Sequence, residues 1–580
     1  RSALREGAGA PATAEVVDKG RSEVVATVAM MARPQRWDAP FSPDMTDADI
    51  EDVLRQPAFS EIDAEKFPEH TPLTEILRND TRIMPYQSGD IIVRSGDYGN
   101  SAFLVLDGKV RVVIAPELPR DLLGRQSVHK KGFLEALGQL WTNRRVPEVR
   151  DVRRYDRTAL RGGRDQASSV VFLQDVPAVL DRRETALLKG GELFGELAAL
   201  GRVPRTATVF AETDARLLEI RWQGLRDIRR YGESFRRRVD ERYRENALKV
   251  ALRETPEFGE LDEAALQEIS VNVLFETHGT FDWHISYQKL RGAGQEAHEP
   301  VIARQGDYPD GVLMVRAGFA RVSVKLGNGE RTLTYLGVGD SFAMSELYDS
   351  WAQGAVQPLR ASLTAIGYVD LIRVPAPVLE KYVFPTIALR PRAPVEAAAT
   401  RTLADDALLE WAVSERFING TQAMLIDLDR CVRCDDCVRA CSATHGGNPR
   451  FVRHGRTFDH WMIANACMHC ADPVCMIGCP TGAIHRSEQG GMVVINDDTC
   501  IGCGTCANSC PYNNIRLVEI RDETGNILLD RDTQRPINKA TKCDLCISNP
   551  GGPACVRACP HDALRRVAFH DDAVFRGSEP

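Results

Sequence analysis

The first 430 residues of this 580-residue chain contain no cysteine, although the chain has 16. Other absences narrow the function further. No apolar run approaches the ~18 residues that would cross a bilayer, so a membrane-spanning helix is not expected. There is no phosphate loop of the G-x-x-x-x-G-K-[ST] type, no dinucleotide fingerprint in a strand–turn–helix setting and no persuasive nucleophile triad. Substrate turnover on the chain's own side chains is therefore not expected. A net charge of −8 lacks the basic excess of a nucleic-acid binder. The chain begins on Arg1 rather than Met, which leaves a targeting segment ahead of it open. What is present, 43% hydrophobic and 27% charged residues, describes an ordinary globular protein. Its length suits roughly three or four domains.

All 16 cysteines lie between 431 and 559, in four groups of four. The groups are Cys431, Cys434, Cys437, Cys441; Cys467, Cys470, Cys475, Cys479; Cys500, Cys503, Cys506, Cys510; and Cys543, Cys546, Cys555, Cys559. Soft thiolates select zinc or iron–sulfur clusters. Zinc normally takes two C-x-x-C pairs, whereas here three close cysteines are followed by a fourth, before Pro in the last three groups. Disulfides would not demand such repetition, and unpaired thiolates point to a reducing, cytoplasmic setting. Three thiolates holding one [4Fe–4S] cube while the fourth reaches another is the ferredoxin arrangement, so four metal-binding repeats predict four [4Fe–4S] clusters.

Two details, the expanded Cys470-Ala-Asp-Pro-Val-Cys475 and the Pro550-Gly-Gly-Pro553 gap in the fourth group, carry a closer resemblance. Over about 425–569 the chain resembles the four-cluster electron-transfer subunits of dimethyl sulfoxide reductase, formate dehydrogenase and nitrate reductase. That resemblance implies interleaved ligand sets: Cys431, Cys434, Cys437 with Cys559; Cys543, Cys546, Cys555 with Cys441; Cys467, Cys470, Cys475 with Cys510; and Cys500, Cys503, Cys506 with Cys479. The first group departs from the pattern in having Ser442 rather than Pro after its last cysteine. Arg433, Lys542 and Arg557, inside or beside these loops, are candidates for raising local potential, as are His445 and His469, whose bland alternative is ordinary packing.

Ahead of the cysteines, short alternating strands broken by Gly-Asp turns predict a small antiparallel barrel or jelly roll. Within it stands Gly191-Glu-Leu-Phe194-Gly195-Glu196-Leu197, followed by Pro204-Arg205-Thr206-Ala207-Thr208. This resembles the phosphate-binding cassette of cyclic nucleotide-binding domains. By that resemblance Gly195 lets backbone amides reach an anion, Glu196 accepts from a ribose hydroxyl, Arg205 pairs with the cyclic phosphate of cAMP or cGMP, and Thr206 adds a donor. The alternative is that Glu196 and Arg205 merely pair with each other in a ligand-free barrel. A second copy echoes the first: Ala303-Arg-Gln-Gly306-Asp307 against Val93-Arg-Ser-Gly96-Asp97. Its cassette is degenerate, with Ala343 in the glycine's place, and Arg360 standing 14 residues after Glu346.

The expected fold is multidomain α+β: two cyclic nucleotide-binding jelly-roll barrels followed by a polyferredoxin domain holding two pairs of clusters. The expected boundaries are a leader over 1–45, a first barrel over 46–254 with an insertion at 116–187, and a degenerate second barrel over 255–390. A linker and helix over 391–422 then lead to the cluster domain over 423–580. The insertion is either a docking element or disordered. The resemblance implies a non-catalytic iron–sulfur subunit of a larger oxidoreductase, docked or regulated through its barrels, in a hetero-oligomer. Its partners would be an electron donor or acceptor and a catalytic subunit of flavin, molybdopterin or NAD type, with no nucleic acid. A redox- or nucleotide-responsive regulator, or a scaffold with inert barrels, are the competing readings.

Overall fold

In a computed structural model, residues 41–115, 146–150, 176–387 and 403–569 are described, less single positions and short runs such as 181–182, 294–298 and 531–533, together with scattered positions between 132 and 138. The expected leader (all but its last residues), most of the 116–187 insertion and the start of the linker lie outside the described residues.

The first barrel is two four-stranded antiparallel sheets. One runs Thr81–Tyr86, Ala215–Arg221, Ser101–Asp107, Leu193–Phe194; the other runs Ile91–Val93, Thr208–Ala211, Val110–Ala115, Glu184–Leu188. Alternation along the strands turns Val93, Phe103, Val105, Val110, Phe194, Val209 and Leu217 into one buried cluster between the sheets. Helices Trp222–Tyr231, Glu233–Asn246 and Leu248–Glu254 carry the chain to the second barrel.

That barrel is built on two long strands, Gly311–Leu326 and Ser362–Pro375, paired antiparallel. Each bends at a glycine, Gly318 (φ 81°) and Gly367 (φ 79°), where a side chain would strike Tyr368 and Trp283 respectively. The bends let one strand serve both layers of the sandwich around Leu313, Val322, Leu363 and Leu371.

The cysteine-rich quarter starts with strand Ala423–Asp427 and ends with Leu564–Val567, and these two strands pair antiparallel. The pairing brings the first and fourth cysteine groups side by side, where helix Asp436–Thr444 and helix Ala554–Arg557 meet. Cys437, Cys441, Cys543 and Cys555 share one buried cluster with Met424 and Ile426. The second and third groups share another, in which Cys479, Cys500, Cys506 and Cys510 pack with Ile484 and Val493 and run on into the helices of the first barrel.

Three attachments hold the barrels to this quarter. Arg221, buried, pairs with the fully buried Asp80 and donates to the Pro480 carbonyl at 2.6 Å, beside Cys479. Helix Trp283–Gly292 of the second barrel places Gln288 Nε2 3.0 Å from the Asn508 carbonyl and 3.3 Å from that of Cys510. The described part of the insertion docks: Arg150 N donates to the Arg521 carbonyl at 2.9 Å and Arg521 N returns to Glu148 at 3.0 Å. No helix among the described residues is long and apolar enough to cross a membrane.

Candidate functional site

Each C-x-x-C loop holds the residue before its second cysteine in the left-handed region: Arg433 (φ 61°), His469 (48°), Gly502 (69°) and Leu545 (58°). Three of the four are not glycine, and each such residue costs about 1–2 kcal/mol. The conformation recurs at the same place in every loop, and in the fourth it extends to Cys546 (φ 50°). Left-handed residues of this kind are a usual part of backbone nests that suit an anionic centre. Amides also reach the sulfurs directly. Arg450 N lies 3.2 Å from Cys441 Sγ, Ala563 N 3.3 Å from Cys559 Sγ and Asn514 N 3.4 Å from Cys510 Sγ.

The structure brings cysteines together across groups. Cys479 lines a small cleft with Cys500, Cys503 and Cys506, walled by Ile484 and Ile495. Burial pushes the Cys441 thiol up to about 12, and its sulfur neighbours Cys543, Cys546 and Cys555 push the same way. Burial likewise raises Cys475, with Cys510, Cys467 and Cys470 adding to it. Cys437 rises to about 11 by burial, with Cys555 and Cys431 contributing. Thiols gathered so that they hold one another protonated release their protons to a central cation, and soft iron suits them. Four convergent sulfurs, an apolar wall and inward amides fit a cubic iron–sulfur group.

Buried cations support the loops from behind. Lys539 Nζ donates to the Asp497 carbonyl at 2.7 Å and the Cys500 carbonyl at 2.6 Å. Lys542 Nζ reaches the Cys543 carbonyl at 3.0 Å, and Arg486 the carbonyls of Cys470 and Ala471 at 2.9 and 2.6 Å. Arg566 Nη2 donates to Cys543 Sγ at 3.0 Å while Nη1 lies 3.4 Å from the Cys467 carbonyl. Of the three cations singled out in the sequence, Lys542 is buried here, whereas Arg433 and Arg557 are exposed. Lys539, Arg486 and Arg566 were missed, because strands rather than proximity in the chain carry them to the loops. His445 sits beside Cys441, its Nδ1 2.7 Å from the Cys441 carbonyl and its Nε2 2.9 Å from Asp544.

In the first barrel, Gly195 (φ 78°) and the helix Glu196–Gly201 take the cassette shape. The Arg205 guanidinium is buried against them and donates to the carbonyls of Gly195 at 2.5 Å and Ser101 at 2.6 Å. A Cβ on Gly99 would fall inside that guanidinium. Glu196 is buried with Oε2 lacking a hydrogen-bond partner, and burial pushes its carboxyl up to about 7 against the pull of Arg205 and Arg242. Thr206 is exposed. In the second barrel Ala343 keeps the glycine's left-handed backbone (φ 73°), but Arg360 pairs with Asp349 at 2.6 Å.

One loop joins the first cassette to the cysteines. Gly96 N donates to Arg205 O at 2.7 Å and Arg205 N to Asp97 O at 2.8 Å, so this loop is laced to the arginine's own backbone. The next residue, Tyr98, stacks its ring 5.4 Å from the Arg486 guanidinium and lies against Gly491.

Cysteine loops of this geometry define an iron–sulfur protein. Comparison with known proteins agrees: residues 458–568 match the 4Fe-4S dicluster domain family, and residues 179–231 and 297–384 match the cyclic nucleotide-binding domain family. Electron transport protein HydN of Escherichia coli is 33% identical over 153 residues, 24% of this chain and 85% of HydN. The arsenate respiratory reductase iron–sulfur subunit ArrB of Shewanella is 32% identical over 200 residues, 27% of this chain and 85% of ArrB. A sulfite dehydrogenase subunit of Allochromatium vinosum is 31% identical over 182 residues, 26% of this chain and 69% of that protein. Through its last quarter the chain belongs to the 4Fe-4S electron-transport proteins, and it carries cyclic nucleotide-binding domains ahead of that quarter.

Proposed function

We propose that this chain is the electron-transfer subunit of a larger oxidoreductase and relays electrons through four [4Fe–4S] clusters. The observation that carries the count is the cleft where Cys479, from the second group, meets Cys500, Cys503 and Cys506 of the third. Such an exchange of the fourth ligand is what a paired-cluster ferredoxin needs. The remaining sets are Cys467, Cys470, Cys475 with Cys510; Cys543, Cys546, Cys555 with Cys441; and Cys431, Cys434, Cys437 with Cys559. Cys434 is exposed and Cys431 and Cys559 are half-buried, so this last set is the port at which an outside protein exchanges electrons. The names of ArrB and the sulfite dehydrogenase relative favour a catalytic oxidoreductase subunit as that partner.

The barrels dock the wire and regulate it. The first binds a cyclic nucleotide through Gly195, Glu196 and Arg205 once the arginine leaves the two carbonyls it now holds. A second reading, barrels as ligand-free scaffold, is favoured by that same occupation of the pocket by Arg205. Titration with cAMP and cGMP separates the two. Binding that Arg205→Ala abolishes supports regulation; no binding leaves the scaffold.

The wire itself is tested by anoxic purification, iron analysis and electron paramagnetic resonance of the reduced protein. The expected content is about 16 iron atoms per chain, falling to about 12 in Cys503→Ser. About eight iron atoms in the unsubstituted protein would overturn the four-cluster assignment. Co-purification of a molybdenum, flavin or NAD subunit would name the reaction.

A further inference from the structure

His469 occupies the left-handed position of the second group's loop, between Cys467 and Cys470, and is 2% exposed. Its backbone is pinned, because Thr421 Oγ1 donates to its carbonyl at 2.7 Å. Neither ring nitrogen has a hydrogen-bond partner among the described residues. An imidazole carries at least one N–H in any protonation state, and a buried donor left unmet costs as much as a lost hydrogen bond.

The charged groups near enough to act electrostatically on the ring are Lys542, Arg566, Asp544 and Arg486. Two of them flank Cys543 in the chain, and Arg566 spans both loops through its bonds to Cys543 Sγ and the Cys467 carbonyl. The ring therefore stands in the partition between the Cys467 and Cys543 loops. Lysine and arginine accept no hydrogen bond. Asp544 does accept, but Oδ1 already takes His445 Nε2 at 2.9 Å and Cys546 N at 3.0 Å, and neither of its oxygens bonds the His469 ring. The acceptor left to the His469 N–H is sulfur.

We propose that His469 donates an N–H hydrogen bond to a sulfur of the iron–sulfur cluster on the Cys543 side of this partition, and so sets that cluster's potential against that of its neighbour in the Cys467 loop. The inference rests on the cluster assignment above. Adding one electron makes the cluster more negative, strengthens the bond and moves no proton, so the bond favours the reduced form. His469 is thus a positioning residue at the junction between the two cluster pairs.

The test is a redox titration of the anoxic holoprotein followed by electron paramagnetic resonance. His469→Ala removes the donor. His469→Asn keeps an N–H and tolerates the left-handed backbone. The expected result is normal iron content in both, one cluster in the alanine variant about tenfold harder to reduce, the equivalent of about 59 mV for one electron, and a smaller change with asparagine. Full iron with every potential unmoved in the alanine variant overturns the proposal. If that variant loads no iron, pulsed resonance on the reduced, 15N-histidine-labelled protein decides. A ring-nitrogen coupling that His469→Asn abolishes supports the bond, and an unchanged spectrum overturns it. Absence of clusters from the unsubstituted protein would overturn the cluster assignment instead.

Discussion

Replacing Arg221 with Met tests whether the first barrel and the cysteine-rich quarter are one cooperative structure. The side chains of Arg221 and Asp80 are 6% and 0% exposed, and burial pushes the guanidinium down to about 10, so it is still charged at neutral pH. Removing one partner of a buried pair costs about 3–5 kcal/mol, because the other charge is left without compensation. The Pro480 carbonyl also loses its donor, worth about another 1 kcal/mol. With a urea slope of about 3 kcal/mol per molar, a combined loss of about 5 kcal/mol lowers the midpoint by about 1.7 M. Unfolding should be followed anoxically by two signals, because a chain of several domains need not unfold in one step. Far-ultraviolet dichroism reads the barrels and visible absorbance reads the clusters. Both should move together in Arg221→Met, and Asp80→Asn added to it should recover part of the loss by removing the stranded charge. A midpoint shift below about 0.3 M would refute the stated cost. Bleaching of the clusters at an unchanged urea concentration would refute the link through Pro480.

Glu196 supplies a pH signature for the unliganded barrel. Its carboxyl sits at about 7 when folded against an ordinary 4.5, so the folded state binds the extra proton between those values. Stability from this group is full below about 4.5, falls by about 3 kcal/mol as pH rises to about 7, and is level above. Glu196→Gln should remove that slope in thermal or urea unfolding; parallel pH profiles for the two proteins would contradict it. Gly491→Ala tests the contact between the cassette loop and the clusters, since its Cβ would fall on the Tyr98 ring at a left-handed position (φ 62°). The expected cost is about 2–4 kcal/mol, with Tyr98→Ala in the same chain relieving the overlap and leaving about 1–2 kcal/mol of backbone strain. Hydrogen exchange over residues 96–100 should quicken in the single variant, and no change there would sink the proposed contact.

Much of this architecture is legible in the chain because its signals are local. Cysteine spacing announces iron–sulfur loops whatever surrounds them, and the Phe194-Gly195-Glu196 and Pro204-Arg205 segments announce a nucleotide-type barrel. What stays hidden depends on distance in sequence or on conformations that residue type does not advertise. Leu545 and Arg433 do not look like left-handed residues, so the common backbone of the four loops is invisible until it folds. The buried cations behind the loops come from strands such as Asn538–Thr541 and Leu564–Val567, whose lysines and arginines read as solvent-facing in isolation. The cassette motif likewise gives no hint that Arg205 turns onto the carbonyls of Gly195 and Ser101, because those acceptors are backbone. Nor does the charged stretch before residue 150 foretell that Glu148–Arg150 will pair with Arg521.

That last pairing has a consequence for the order of events in the cell. Arg521 leaves the ribosome about 370 residues after Arg150, which at ordinary synthesis rates is tens of seconds. A first barrel that ends near residue 254 and folds on emerging still waits about 270 residues of synthesis before Arg521 is there to receive 148–150. Because Cys543, Cys546, Cys555 and Cys559 follow Arg521 in the chain, 148–150 can close over Arg521 before the fourth cysteine group is made, fastening the barrel side to the quarter ahead of its last loop.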